Sequence, residues 1–312
     1  MADIALSFED VVKRYGSVTA LNGVSFDVRQ GEMFGLIGPD GAGKTTTIRL
    51  LCGLVHADGG TVRVLGKDPV ANHAAVTRSV GYLSQRFSLY GDLSIDENIA
   101  FFAEIHGLWR YEDRRRRLLE LTQLLPFRNR LADRLSGGMK QKLALACTLI
   151  HEPRVILLDE PTTGVDPVSR REFWKLLAEF LQQGITILVS TPYLDEAERC
   201  HRVALLHDGK RLALDTPDAL RRSLPGRMLE VMVADQARAI PVIQSVTSVV
   251  DVRAFGERVH VRLSQDAGPD AVTRVTQALE GAGFRVTSAR AVQASLEDVF
   301  IARLEEAATQ GR

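Results

Sequence analysis

Gly38-Pro39-Asp40-Gly41-Ala42-Gly43-Lys44-Thr45 matches the pattern G-x-x-x-x-G-K-[ST], and its neighbours give that pattern meaning. Upstream, Met33–Ile37 is a short apolar run that predicts a buried strand. Downstream, Thr45–Leu54 predicts a helix. A strand, a glycine-rich loop and a helix N-terminus in that order make an anion site. The glycines let successive backbone N–H groups turn inward, and the helix adds its positive dipole end. Gly38, Pro39, Asp40, Gly41, Ala42 and Gly43 then form a phosphate cradle. Lys44 reaches the β- and γ-phosphates, the Thr45 hydroxyl holds Mg²⁺, and Thr46 donates to the α-phosphate.

A second segment, Val155-Ile156-Leu157-Leu158-Asp159-Glu160, is an apolar strand ending in two carboxylates. Asp159 is placed to hold Mg²⁺ through water. Glu160, one residue further on, is placed to orient or deprotonate an attacking water, a role worth roughly 10²–10⁴-fold in rate. Acidic strand ends are common, and this one gains its value from sharing a chain with the phosphate loop. The third segment is Leu135-Ser136-Gly137-Gly138-Met139-Lys140-Gln141, which opens an apolar helix, Lys140–Ile150. It is a second helix start of the anion-binding kind. One chain with two of them needs an explanation.

Outward from these motifs, the chain reads as alternating strands and helices. Val24, Phe26 and Val28 alternate with polar residues, as a half-buried strand requires, while the apolar strands Met33–Ile37, Val155–Leu158 and Ile185–Val189, separated by helix-like stretches, predict a parallel sheet in an α/β domain. Residues 91–150 read as a helical insertion. Ser94 with Glu97 fits a capping box for a helix Ile95–Ile105, and Tyr111–Leu125 predicts a helix with Leu118, Leu121 and Leu125 on one face. Leu224-Pro225-Gly226 punctuates the chain, dividing it into 1–223 and 226–312. The second part predicts a small α+β unit. Val259, Val261 and Leu263 alternate with Arg258, His260 and Arg262, a strand with one wet face. Val272, Val275 and Leu279 mark a helix, and Ser295 with Asp298 starts a last helix that buries Leu296, Val299, Phe300 and Leu304.

Composition narrows the class. The chain has 312 residues, 45% apolar and 25% charged, enough for a sizeable core. Lys plus Arg and Asp plus Glu number 39 each, so no global field attracts nucleic acid or an anionic membrane. No run approaches the roughly 18 apolar residues of a spanning helix. Met1-Ala2-Asp3-Ile4 lacks a basic and apolar leader, so no secretory signal is expected. Cys52, Cys147 and Cys200 lie far apart, which fits free thiols in a reducing cytosol. His201 and His207 lack metal-ligand spacing. Arg114–Arg117 is expected to be a solvated face, because Glu112, Asp113 and Glu120 surround it.

The Ser136-Gly137-Gly138 segment, about twenty residues before the acidic strand, resembles the signature of the ABC ATPase family, and the resemblance covers residues 5 to about 220. It implies a P-loop NTPase fold of α/β class with antiparallel β and helical subdomains, here followed by the small α+β domain. It also implies two ATPase domains packed head to tail, with ATP on one phosphate loop completed by Ser136, Gly137 and Gly138 of the other. By the same resemblance Tyr15 stacks on adenine, Gln85 senses Mg²⁺ and faces the membrane subunit, and Gly164-Val165-Asp166-Pro167 links the two sites. Lys44, Gln85 and Glu160 become the catalytic set, and Thr45, Gln85 and Asp159 the Mg²⁺ ligands. Three positions depart from the family pattern. Asp40 replaces an Asn, Met139 replaces a Gln, and Pro192 stands where the family has a histidine that contacts the γ-phosphate. Proline offers no side-chain donor.

The region from Met228 to Ser295-Leu296-Glu297-Asp298-Val299-Phe300, with Pro161–Trp174, resembles ATPases that serve multidrug-type exporters. In these the permease is a separate integral-membrane chain. A second ATPase domain completes a homodimer or heterodimer, and a membrane-fusion protein is often present. The expectation is an ATP-hydrolysing motor, cytoplasmic and held on the inner face of the membrane through the permease, with no nucleic-acid partner. A soluble ABC ATPase acting on ribosomes or nucleic acid is the rival. Such proteins usually carry two ATPase domains and basic linkers, whereas this chain has one such domain and no net charge. A weakly active regulatory ATP-binding subunit is the third reading, and it rests on Pro192.

Overall fold

Antiparallel strands β1 (Ile4–Tyr15) and β2 (Val18–Arg29) open the chain in the computed structural model, which describes residues 3–85 and 89–310. Met1 and Ala2 of the N-terminal stretch lie outside the described residues. Val24, Phe26 and Val28 of β2 are all buried, as their alternation requires. β3 (Met33–Ile37), α1 (Lys44–Leu51), β4 (Gly59–Val64), α2 (His73–Thr77) and β5 (Val80–Leu83) follow. α1 stops short of the expected Leu54, because Gly53 N bonds to Leu50 O at 3.0 Å and Leu54 N to Arg49 O at 3.0 Å, closing the helix. β1, β2 and β4 form a three-stranded antiparallel sheet in the order β2-β1-β4. Phe8 stacks on Phe26 at 4.7 Å and Phe26 on Phe34 at 5.4 Å, each pair worth about 0.5–1.5 kcal/mol beyond area burial. This aromatic column ties the antiparallel sheet to β3 and so fixes the strand that carries the phosphate loop.

The helical insertion holds α3 (Ile95–Ile105), α4 (Glu112–Leu121) and α5 (Gly137–Leu149). The Ser94–Glu97 capping box is present in both directions. α4 is shorter than the expected Tyr111–Leu125. Tyr111 is its N-cap, and Gln123 adopts a left-handed φ of 60°, which ends the helix before Leu125. Pro126 also disfavours helix at Leu125. Leu118, Leu119 and Leu124 are therefore the buried leucines, while Leu121 and Leu125 are only half-buried. Arg114 and Arg115 correct the solvated-face expectation. Arg114 donates to the α5 carbonyl of Leu149 (2.9 Å) and pairs with Glu152, and Arg115 lies 3.8 Å from Asp96.

β6 (Val155–Asp159), α6 (Pro167–Gln182), β7 (Thr186–Thr191), α7 (Leu194–Ala197), β8 (Arg202–His207) and β9 (Lys210–Asp215) complete the sheet, whose order is β5-β6-β7-β3-β8-β9. All neighbours are parallel except β8 with β9. β3 and β6 therefore flank β7, and the phosphate loop and the acid pair emerge at the same carboxyl edge. In open α/β sheets that edge is where ligands bind. β7 runs two residues past the expected Val189, which places Ser190 beside Asp159 in register. Among the described residues, no helix is long and apolar enough to cross a membrane.

The chain divides into two compact units, Met1–Pro217 and Asp218–Arg312, at the start of α8 (Pro217–Arg222). The second contains β10 (Arg227–Val233), α9 (Gln236–Gln244), β11 (Val249–Phe255), β12 (Arg258–Leu263), α10 (Ala271–Gly281), β13 (Val286–Val292) and α11 (Leu296–Gln310). Its sheet is antiparallel in the order β11-β12-β10-β13, a β-α-β-β-α-β arrangement followed by one more helix. Leu229, Val231, Val259, Val261, Val275 and Leu279 fill its core. The opposite face is only partly wet, because Arg258 is exposed while His260 and Arg262 are half-buried. Arg258 reaches the buried Glu230 at 2.6 Å, and His260 Nδ1 lies 3.0 Å from Asp298 Oδ1 on α11. Where these charged side chains are covered, each finds an opposite partner.

Candidate functional site

Gly43 precedes α1 with φ at 102°, a conformation that costs glycine little and other residues much. A Cβ there would stand 2.6 Å from Leu21 Cδ2 and 2.7 Å from the Ala20 carbonyl. The N-cap Gly43 carries no side chain to cap the first turn of α1, which leaves its leading N–H groups for a ligand. The loop opens into a cavity of about 690 Å³. Val18, Thr19 and Ala20 line one part, Asp40 through Thr46 another, and Gln85, Glu160 and Asp208 complete it.

Lys44 is 4% exposed, and its ammonium is well partnered. It donates to Gly38 O (2.8 Å) and Pro39 O (3.0 Å), and pairs with Glu160 Oε1 at 3.0 Å. Glu160 is itself 8% exposed, with φ at 49°. Such a backbone costs on the order of 1–3 kcal/mol and persists only where neighbours fix it. Here Glu160 N donates to both Ser190 O and Ser190 Oγ, each at 3.1 Å. Its carboxylate accepts from Gln85 Nε2 (3.1 Å) and Thr163 Oγ1 (3.4 Å).

Asp159 is buried one residue earlier and accepts from Ser190 Oγ at 2.7 Å and Thr45 Oγ1 at 3.2 Å. Its negative charge is felt by its neighbours. Burial, then Asp159, pushes the Cys52 thiol up to about 12. Burial, then Asp159, also raises the Tyr82 phenol to about 12. Thr45 Oγ1, the Asp159 carboxylate and the Gln85 amide are hard oxygen donors, the chemistry that Mg²⁺ selects. The residues present therefore fit a Mg²⁺-nucleotide.

The expected residues divide into two groups. Asp40, Gly41, Ala42, Gly43, Lys44, Thr45, Thr46, Gln85 and Glu160 line the one cavity, Asp159 touches it through Thr45, and Gly38 and Pro39 hold Lys44. Tyr15 is not among the lining residues; it is 42% exposed and lies opposite Val18, a lining residue, in the β1–β2 register. Ser136, Gly137 and Gly138 also lie away from the cavity, at the start of α5. There Ser136 accepts from Met139 N at 3.3 Å as the N-cap, which starts the helix three residues before the expected Lys140. Gly138 is buried where a Cβ would collide with Ser169 of α6, so it has a packing role within its own chain. Ser136 and Gly137 are exposed.

Two residues in this neighbourhood escape sequence reading. Asp208 lines the cavity from the β8–β9 turn, and the Asp208-Gly209 pair is a turn signal that could have placed it. Ser190 has no motif at all. Only the strand order, with β7 between β3 and β6, brings its hydroxyl to Asp159. His201 is structural, accepting from Met33 N at 3.0 Å through Nδ1. Among the described residues no group of three His, Cys, Asp or Glu side chains is placed to hold a metal.

Comparison with known proteins accounts for this arrangement. A family model described as ABC transporter matches residues 21–163. The chain is 40% identical over 317 aligned residues to a probable multidrug ABC transporter ATP-binding protein, YbhF, of Escherichia coli K12. That alignment spans 99% of this chain but 54% of the relative, so the chain covers about half of that protein's length. It is 36% identical to the daunorubicin resistance ATP-binding protein DrrA2 of Streptomyces coeruleorubidus, over 96% of this chain and 95% of that one. A dimeric ATP-binding cassette solved in a post-hydrolysis state with ADP and Pi superposes with a TM-score of 0.61 at 26% identity, over 68% of this chain and 98% of that one. The chain belongs to the ABC transporter family, among its ATP-binding proteins.

Proposed function

We propose that this chain is the ATP-hydrolysing motor of an exporter whose permease is a separate integral-membrane polypeptide. The observation that carries the reading is the convergence of Lys44, Thr45, Asp159, Gln85 and Glu160 on one cavity at the carboxyl edge of the sheet. In this reading residues 1–223 form the ATPase domain and 226–312 an accessory domain. The phosphate loop binds the β- and γ-phosphates. Thr45, Asp159 and Gln85 hold Mg²⁺, which when bound neutralises charge on the phosphates. Glu160 orients the attacking water and takes its proton. Lys44 is shared: a polyphosphate that draws the ammonium toward itself frees the Glu160 carboxylate for that water. Tyr15, opposite the lining residue Val18 in the β1–β2 register, stacks on adenine. The exposed Ser136-Gly137 start of α5 completes the site of a second ATPase domain packed head to tail, and ATP closes that dimer.

Relatives named as a multidrug ABC transporter ATP-binding protein, a daunorubicin resistance ATP-binding protein and a Nod factor export ATP-binding protein support export. A membrane-fusion protein is the further partner this subgroup suggests, and attachment through the permease places the chain on the inner face of the membrane. Purification from detergent-solubilised membranes tests the reading. The expected result is Mg-dependent ATPase activity together with a co-purifying integral-membrane chain. Co-purifying ribosomes, or no ATP turnover, would overturn it.

Pro192 follows the last residue of β7 and supplies no donor where the family resemblance expects a histidine. Losing one preorganised donor costs roughly 10²–10³ in rate. Hydrolysis by this chain is therefore expected to be slow but measurable, and a histidine-bearing partner ATPase would provide a faster site. Pro192→His is expected to raise the rate tenfold or more at saturating Mg-ATP. No gain in a folded variant would show that the loop after β7 is built around a different donor.

A further inference from the structure

A second buried carboxylate lies behind the proposed catalytic one, outside the cavity. Glu196, in α7, is 2% exposed. Its Oε1 accepts from Thr162 Oγ1 at 2.6 Å, Arg170 Nη2 at 2.7 Å and Nε at 3.2 Å, and Trp174 Nε1 at 3.4 Å. Its Oε2 accepts from Thr191 Oγ1 at 2.7 Å. A buried carboxylate needs such satisfaction to stay ionised inside a protein. A single arginine and the helix N–H groups would do that much. These donors come instead from three separate segments, and each leads back to the site.

Thr162 stands two residues after Glu160, and its neighbour Thr163 donates to the Glu160 carboxylate at 3.4 Å. Thr191 is the last residue of β7, next to Pro192. Its hydroxyl also accepts from Tyr193 N at 3.1 Å, and the Tyr193 ring sits 4.7 Å from the Arg170 guanidinium. Arg170 and Trp174 belong to α6, whose first turn is capped by Asp166 accepting from Val168 N and Ser169 N at 3.0 Å. On the other side of the same loop, Gln141 of α5 donates to the Pro161 carbonyl. Glu196 therefore holds the loop after Glu160, the end of β7 and the start of α6 in a fixed relation.

We propose that Glu196 is a positioning residue for hydrolysis, which locks the Thr162–Thr163 loop and the Thr191–Tyr193 segment together so that the Glu160 carboxylate keeps its place. The proposal rests on the reading of Glu160 as the group that orients water. Glu196 does not line the cavity, so its loss acts on turnover and not on nucleotide capture. A displacement of about 1 Å at a reacting group can cost on the order of 10²-fold in rate.

The test pairs Glu196→Gln, which removes the charge and keeps the volume, with Thr162→Val, which removes one donor from the far end. For each, kcat, KM for Mg-ATP, affinity for a non-hydrolysable ATP analogue and the thermal midpoint are measured. Glu196→Gln is expected to lower kcat at least fivefold and Thr162→Val at least threefold. Analogue affinity should stay within threefold of the parent, and the double variant should be no slower than Glu196→Gln. A folded Glu196→Gln protein with a smaller fall in kcat overturns the proposal, as does an equal loss of kcat and analogue affinity. If Glu196→Gln does not fold, Thr162→Val decides by the same measures. Glu160→Gln, run in parallel, separates the two readings. If it turns over at the parental rate, the role of Glu160 fails and this proposal with it. If Glu160→Gln is inactive while a folded Glu196→Gln protein keeps more than a fifth of the parental kcat, only the positioning role falls.

Discussion

Glu160→Gln is expected to bind Mg-ATP at least as tightly as the parent protein and to hydrolyse it roughly 10²–10⁴-fold more slowly. The amide keeps the size of the side chain, and Oε1 can still accept from one donor. It cannot take a proton from water. Nor does it hold Lys44 by charge, so the ammonium now 3.0 Å from Glu160 becomes free to face the phosphates. The variant should therefore accumulate with ATP bound, and in the presence of a partner domain should elute as a dimer on size-exclusion chromatography in Mg-ATP. Turnover at the parental rate, or ATP affinity lowered tenfold, would sink the role assigned to Glu160.

Much of this site was legible before any coordinates. The phosphate loop declares itself because backbone geometry demands glycines at fixed spacing between a strand and a helix. The acid pair is legible because a buried strand must be apolar up to the point where it leaves the core, which makes Asp159 and Glu160 conspicuous. The capping boxes at Ser94 and Ser295 were readable because the reciprocal bonds are local in sequence. The helix ends were less so. α4 stops at Leu121, two residues ahead of a left-handed backbone at Gln123 that glutamine rarely adopts, and no residue type there announces it. What stayed hidden were contacts set by strand order. Ser190 meets Asp159, and Glu196 meets the loop after Glu160, only because β7 lies beside β6, and nothing in either residue's neighbours along the chain encodes that. The wet face expected for β12 holds at Arg258 and fails at His260 and Arg262 for a related reason, since alternation reports polarity and not the oppositely charged helix that covers them.

Lys44→Ala is expected to weaken Mg-ATP binding by about 10²–10⁴-fold. Hydrogen bonds to charged groups contribute about 1.5–3 kcal/mol each. Two such bonds to the phosphates amount to about 3–6 kcal/mol, and each 1.4 kcal/mol is a factor of ten. The substitution also acts without ligand. It leaves Glu160, 8% exposed, without its cation, and breaking a buried pair from one side typically costs about 3–5 kcal/mol. Lys44→Ala should thus lower both affinity and thermal midpoint, and a fall in affinity alone could be mistaken for partial unfolding. The double variant Lys44→Ala with Glu160→Gln separates these effects. Neutralising Glu160 removes the orphaned charge, so the thermal midpoint should recover most of what the single variant lost. Affinity should not recover, because the phosphates still lack their ammonium. Calorimetric titration with Mg-ATP and a thermal melt of each variant measure the two quantities independently. If the double variant regains affinity along with stability, Lys44 serves the fold and not the phosphates, and the loop binds its ligand through backbone N–H groups alone.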